Sequence, residues 1–555
     1  MRHPFLDALA TGAAGFLLLT APASAQQRGI NVLEYRFALT LPESGPRIEV
    51  AERLRAIRAA GTSELALDLL PPMQVSEARL GCGDATTVTS FTHEGARVRV
   101  VLSVFAAPAT LDPGAPPGAD TVCVSLRYAG EPKDGLIIST DSAGRWRAFG
   151  DNWPDRGRHW LASVDHPSDK ALVEFVVDAP SPLRVIANGT QRASAPSGAG
   201  RTRTTWATTL PIPTYLMVIA AAPLVEHDLG QTACGHGAIA RCVPQQVYTA
   251  PEQARFMPGH FAESDSIVTW LARAVGPFPY EKLAHLQSST RFGGMENAGA
   301  IFYADRLFRT QDGLGVGLIA HETAHQWFGD AVTEREWGHV WLSEGFATYF
   351  AALYTEHSRG DSAFGDEMSR IRDQVFAAKV VSERSVIDTA QTDLLALLNT
   401  NSYQKGGFVL HMLRRQVGDS AFFRGVRAYY AEFKHSNAMT RQFQTAIERT
   451  TGQDLTWFFD QWLRKPGWAD VTLTWAYDAT TSQVVITTQQ RGPFGAYRLR
   501  VPVEVEAADG TRTMTTAEIP ALSNGTARLQ SRLPSAPKAL RFDPAGELLA
   551  RFHAP

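Results

Sequence analysis

His321-Glu322-Thr323-Ala324-His325 places two imidazoles four residues apart, with a carboxylate beside the first. Four residues turn a helix by about 400°, so both rings leave one face, one turn apart. Both can then reach one Zn2+ at about 2.0–2.1 Å. Glu322 projects beside that metal, where a bound water would sit. Eighteen residues intervene between His325 and Glu344, which stands in Trp341-Leu342-Ser343-Glu344-Gly345-Phe346-Ala347. That span lets the first helix end near Gly329-Asp330 and a second return antiparallel, with Glu344 near its start facing the imidazole pair. Taken alone, Glu344 could equally be a solvated helix-start carboxylate favoured by the dipole. Two His and one carboxylate leave the fourth zinc position open, which marks a catalytic site. The expectation is one Zn2+ per chain on His321, His325 and Glu344.

Upstream lies Arg291-Phe292-Gly293-Gly294-Met295-Glu296-Asn297-Ala298-Gly299-Ala300. Paired glycines let backbone approach a ligand closely or run as an edge strand beside it. A carboxylate next to such a strand can bind a substrate ammonium group.

Together, Gly293-Gly294-Met295-Glu296-Asn297, His321 to His325, and Glu344 resemble the aminopeptidase N family of zinc metallopeptidases, of the gluzincin type. Trp160-Leu161-Ala162-Ser163-Val164-Asp165-His166-Pro167-Ser168-Asp169-Lys170 is similar to that family's N-terminal β-domain signature. Tyr403-Gln404-Lys405-Gly406, followed by Val409 to Leu413, resembles its catalytic-tyrosine segment, and Trp457 to Trp462 the end of its catalytic domain. The resemblance implies a zinc-dependent aminopeptidase that hydrolyses the N-terminal peptide bond of peptides with a zinc-bound water. Glu322 would be the general base and Tyr403 would stabilise the oxyanion. Glu296 would anchor the free α-amine, the Gly293-Gly294-Met295-Glu296-Asn297 strand would flank the peptide, and Phe292 would help line the pocket for the first side chain. Two departures stand out: Ser343 replaces the family's frequent Asn before the third ligand, and the second amine contact has no evident counterpart, with Asp151 and Asn152 merely near the right place.

These residues need a scaffold. From Gln26 to about Val225 short alternating stretches recur, such as Arg97 to Leu102 and Leu172 to Val177, separated by turns at 111–118 and 195–200. This reads as an antiparallel sheet domain. From about Glu226 to Gly467 the period turns helical: Ile267, Leu271 and Val275 share one face, and 314–328, 344–357 and 406–416 follow suit, with Gly360 a plausible stop. After Trp468 short strands return, at 471–475, 484–488 and 501–505. The expected architecture is multidomain α+β: a signal peptide at 1–25, an N-terminal β-domain at 26–225, a thermolysin-like, mainly helical catalytic domain at 226–467 and a C-terminal β-sandwich at 468–555. The long helical C-terminal domain of larger relatives is not expected after that sandwich.

Composition narrows the partners. The 555 residues carry 53 Lys plus Arg against 56 Asp plus Glu, a net charge of -3, which offers no electrostatic footprint for nucleic acid. Met1-Arg2-His3, the apolar run Ala13 to Thr20 and small residues at Ala23 and Ala25 read as an export signal cleaved before Gln26, giving a periplasmic or secreted protein. No later stretch approaches a membrane span, so no stable membrane insertion is expected. Four cysteines allow three pairings; Cys82–Cys123 and Cys234–Cys242 are preferred because each pair lies within one domain, with free thiols as the alternative. Asn188-Gly189-Thr190 and Asn524-Gly525-Thr526 match the glycosylation pattern and read as turns. The aromatic run at 457–462 reads as interdomain core. The expected substrate is a peptide with a free N-terminus. A thermolysin-type zinc endopeptidase, or a catalytically silent peptide-binding protein on the same fold, are the alternatives.

Overall fold

The computed structural model describes residues 29–83, 86–102, 119–141, 143–234 and 241–554. The expected signal peptide at 1–25 and the turn at 111–118 lie outside the described residues.

The described residues from 29 to 222 build three sheets. In the nine-stranded one, Ile30–Thr40 lies between Ile48–Arg58 and Lys170–Pro180. The pairing with Ile48–Arg58 is antiparallel, but that with Lys170–Pro180 is parallel, with Glu34 opposite Leu172. An antiparallel domain was expected; the sheet is mixed. A parallel neighbour requires a long crossover, and here about 130 residues intervene, too many for local alternation to reveal the pairing. Gly135–Thr140, Trp146–Asp151, Ile219–Ala222 and Arg184–Ala187 form a four-stranded sheet. Phe37 and Phe175, opposite each other in the nine-stranded sheet, stack at 5.6 Å, and Trp160 stacks on Phe175 at 6.2 Å, all three fully buried.

Next comes a five-stranded sheet in the order Val225–Cys234, Arg241–Thr249, Leu283–Ser288, Ala300–Ala304, Gly294–Met295. The Gly294–Met295 pair is therefore an edge strand, antiparallel to Ala300–Ala304 with Gly294 opposite Tyr303. Helix α1 (Ser264–Ala274) buries Ile267 and Leu271, and Val275 follows them into the core. Helix α2 (Val316–His325) and helix α3 (Trp341–Arg359) pack on each other through Phe328, whose ring lies 4.5 Å from Phe346 and 5.1 Å from Phe350. Helix α3 stops at Gly360, which takes φ 85°. Helix α4 (Gly406–Val417) follows a wide turn at Asn401–Lys405 and crosses α3 closely: a Cβ on Gly345 would press on the Gly406 backbone at 2.9 Å.

Beyond Trp468 a four-stranded sheet (Asn524–Arg528, Gln483–Gln489, Ala469–Asp478, Ala550–His553) and a three-stranded sheet (Arg512–Ile519, Leu499–Glu506, Ala539–Phe542) follow. The 457–462 aromatic run links them to the helices: Phe459 packs 5.9 Å from Phe443 and Trp462 5.0 Å from Tyr497. Among the described residues no helix is long and apolar enough to cross a membrane.

Cys82 and Cys123 form a disulfide. The second expected bridge does not form. Cys242 is an exposed free thiol, and the hairpin register explains why: Cys242 opposes Ala233, while Cys234 opposes Arg241. Asn188 is buried, donating to Leu216 O at 2.8 Å and Ala298 O at 2.9 Å and accepting from Val218 N at 2.7 Å. It is a brace between the N-terminal sheets and the Glu296 segment, and no glycan could attach there.

Candidate metal centre and peptide cleft

His321 and His325 emerge from one face of α2, their Nε2 atoms 3.1 Å apart. Glu344, in the first turn of α3, brings Oε2 to 3.4 Å from His321 Nε2 and 3.3 Å from His325 Nε2. Tetrahedral ligands at about 2.0–2.1 Å from zinc stand about 3.3 Å from one another, so this triangle has the right size. Glu344 Oε2 is buried and accepts no well-formed hydrogen bond, an atom that a cation would satisfy. His325 Nδ1 lies 3.1 Å from Phe328 O and 3.0 Å from Ser343 Oγ. A proton on Nδ1 leaves the Nε2 lone pair for the metal. Ser343, where the family often has Asn, thus supports a ligand directly. Gly329, at φ 113°, makes room for it, since a Cβ there would overlap Ser343 Oγ.

The charge balance also calls for a cation. Glu296, Glu322 and His325 offer ligating atoms within 4.8 Å of one another, beside Glu344. Burial, with Glu296 and Glu344 adding and His325 opposing, pushes the Glu322 carboxyl well above the usual range. Burial raises Glu296 to about 7, His325 opposing, with Glu344 and Asp151 adding. A divalent ion reverses this logic and lets the carboxylates ionise. The residues fit zinc.

The other expected site residues gather around this centre. The Tyr403 ring stacks on His321 at 5.9 Å, and burial, then Glu344, keeps its hydroxyl protonated and able to donate. Phe292 is half-buried, with the Trp153 edge at 6.2 Å. Gly294 packs against Glu322 itself. Met295 and Asn297, expected to contact substrate, have side chains buried to 2% and 0% exposure, so this part of the segment can offer a ligand only backbone. Gln326, beside the candidate ligand His325, donates to Glu296 O at 2.7 Å and accepts from Gly299 N at 2.8 Å, which ties the Glu296 loop to α2.

Asp151 and Asn152 now separate. Asn152 is consumed by structure, bonded to Thr214 O, Met217 O and Trp160 Nε1. Asp151, fully buried, lies within electrostatic reach of Glu296. Gln326 and Asn188 carry no signal in the sequence that marks them for the site, and neither do Arg156 and Arg291, which hold Asp151, or Asp134, which both arginines also bind. A buried Arg-Asp cluster drawn from separated segments leaves no local pattern.

The Peptidase M1 N-terminal domain profile matches residues 134–216 and the Peptidase family M1 domain profile residues 267–462. Aminopeptidase N of Streptomyces lividans is 29% identical over 335 residues, covering 57% of this chain and 37% of that protein. The chain spans less than half the length of such curated relatives, 40% and 46% for two from Sulfurisphaera tokodaii and Saccharolobus solfataricus. The M1 zinc metallopeptidase from Deinococcus radiodurans is 26% identical with a TM-score of 0.65, over 80% of this chain and 95% of that one. Legionella pneumophila aminopeptidase A, 16% identical with a TM-score of 0.80 over 96% of this chain and 61% of that one, shares the fold. Both M1 profiles match in order and the second spans the His-His-Glu group, so the chain belongs to the aminopeptidase N family of M1 zinc metallopeptidases.

Proposed function

We propose that the protein is an aminopeptidase that releases N-terminal residues from peptides. One observation carries this reading: Glu296, the candidate amine anchor, has a carboxylate oxygen within 4.8 Å of the Glu322 carboxylate and the His325 ring nitrogen. A single residue spans about 3.3–3.6 Å. An ammonium on Glu296 therefore leaves room for one residue before the scissile carbonyl reaches Glu322. An endopeptidase needs open space on that side.

His321, His325 and Glu344 would hold the zinc, which when bound supplies Lewis-acid polarisation and a more acidic water. Glu322 accepts the proton of the attacking water and delivers it to the leaving amine. The Tyr403 hydroxyl donates to the carbonyl oxygen as that oxygen gains charge. Glu296 pairs the ammonium, whose burial would otherwise go uncompensated. The Gly294–Met295 edge offers backbone to the peptide, and the half-buried Phe292 ring lines the pocket for its first side chain.

The domain division at 225/226 and 467/468, with the last two sheets as a β-sandwich, belongs to the same reading. So does export with cleavage before Gln26, which the Cys82–Cys123 disulfide supports by implying an oxidising compartment. Mature protein beginning at another residue would refute that cleavage site. The activity is tested with a free-amine peptide beside its N-acetylated copy. Only the free peptide should lose its first residue; efficient internal cleavage of the blocked peptide would make the protein an endopeptidase.

A further inference from the structure

Two arginines and two aspartates join the N-terminal sheets to the loop that carries the Gly294–Met295 edge, and none of the four binds metal or moves a proton. Arg156, its side chain 7% exposed, donates from Nη1 to Asp134 Oδ1 at 2.7 Å and from Nε to Trp153 O at 2.7 Å. Its Nη2 lies 2.9 Å from Asp151 Oδ1. Arg291 spans the same pair: Nη2 lies 2.7 and 2.8 Å from the two oxygens of Asp134, and its backbone N–H points to Asp151 Oδ2 at 3.4 Å. Each aspartate is thus bridged by both arginines, and the four formal charges cancel. Arg156 also lies 5.8 Å over the Phe292 ring.

The arrangement addresses a specific difficulty. Asp151 sits on strand Trp146–Asp151 and Glu296 in another domain, 145 positions away in the chain. Gly293 and Gly294 separate Arg291 from Glu296, and glycines leave the backbone free to wander. Glu296 can serve as the amine anchor only if its place relative to the metal centre is held, and a misplacement of about 1 Å can cost about 100-fold. A planar guanidinium that bridges two carboxylates has the rigidity for this, and lysine does not.

Resting on the aminopeptidase reading, we infer that Arg156 and Arg291 are positioning residues for amine recognition: through Asp134 and the buried Asp151 they lock the loop bearing Glu296 to the N-terminal sheets, so that Glu296 meets the substrate ammonium in a fixed place. The specificity for a free N-terminus then depends on a clamp whose arginines never touch the peptide.

The test compares the inhibition constants of an α-amino hydroxamate and its des-amino copy. Both engage zinc, and only one carries the ammonium. Wild-type protein should prefer the amino compound. Arg156→Met and Arg291→Gln should each cut that preference by roughly 10- to 100-fold, with the des-amino constant unmoved. Arg156→Lys should fall between, and adding Arg156→Met to Asp151→Asn should cost nothing further. Zinc content and melting temperature are read alongside. Arg291 is 43% exposed, so Arg291→Gln carries the test if Arg156→Met fails to fold. An unchanged preference with a lowered melting temperature would make the cluster merely structural and overturn the inference alone. No preference in the wild-type protein would overturn both the inference and the aminopeptidase reading.

Discussion

The carboxyl of Glu322 occupies the space that a side chain on Gly294 would need. The edge strand that would flank a peptide and the group that would take a proton are therefore in contact, and only a residue without Cβ lets them be.

Gly294→Ala should accordingly displace Glu322. The backbone at 294 is ordinary strand, so the protein should fold and keep its zinc. We expect kcat to fall by about 100-fold, as for a 1 Å misplacement. Wild-type turnover in that variant would show that the carboxyl finds another productive position.

Removing the ligands should remove the metal. In a His321→Ala, Glu344→Ala double variant one imidazole remains, which leaves zinc underligated. Elemental analysis should find less than a tenth of an equivalent after dialysis; full occupancy would place the metal elsewhere.

Glu322→Gln keeps the shape of the side chain and cannot accept a proton. Zinc should stay bound while kcat drops by roughly 10²–10⁴. Turnover near that of the wild type would assign the base to another residue.

Tyr403→Phe deletes a donor that burial and Glu344 keep protonated. The loss should appear in kcat, at roughly 10²–10³, with KM little changed. A change confined to KM would make Tyr403 a ground-state contact.

His411, buried on α4, has a pKa pushed down to about 3, chiefly by burial. The unfolded chain takes up that proton near 6.5, and the native protein refuses it. Stability from the neutral ring is thus complete above pH 6.5 and lost as the pH falls toward 3. Between pH 7 and 5 the wild type should lose about 2 kcal/mol more than His411→Gln, measured by urea unfolding. Equal losses would mean that His411 charges freely in the native state.

The zinc triad was legible in the chain because its geometry is nearly local. A four-residue step on a helix must bring two imidazoles to one face, and eighteen intervening residues suffice for a turn and a returning helix that carries Glu344 in its first turn. Alternation in 97–101 and 170–180 exposed the strands, but not that Ile30–Thr40 pairs in parallel with Lys170–Pro180, since strand pattern says which faces are buried and not which neighbour covers them. The thiols show the same limit: membership of one domain favoured Cys234–Cys242, and a one-residue offset in the hairpin leaves Cys242 free. Asn188 reads as a turn in the sequence and is a buried brace to Ala298, 110 positions away. Arg291 and Asp134, 157 positions apart, meet only after two domains have docked. Local spacing is dictated by the repeat of the helix, which the sequence carries in full. Partners across a domain interface are chosen by how whole surfaces pack, and that is settled only when the entire chain has folded.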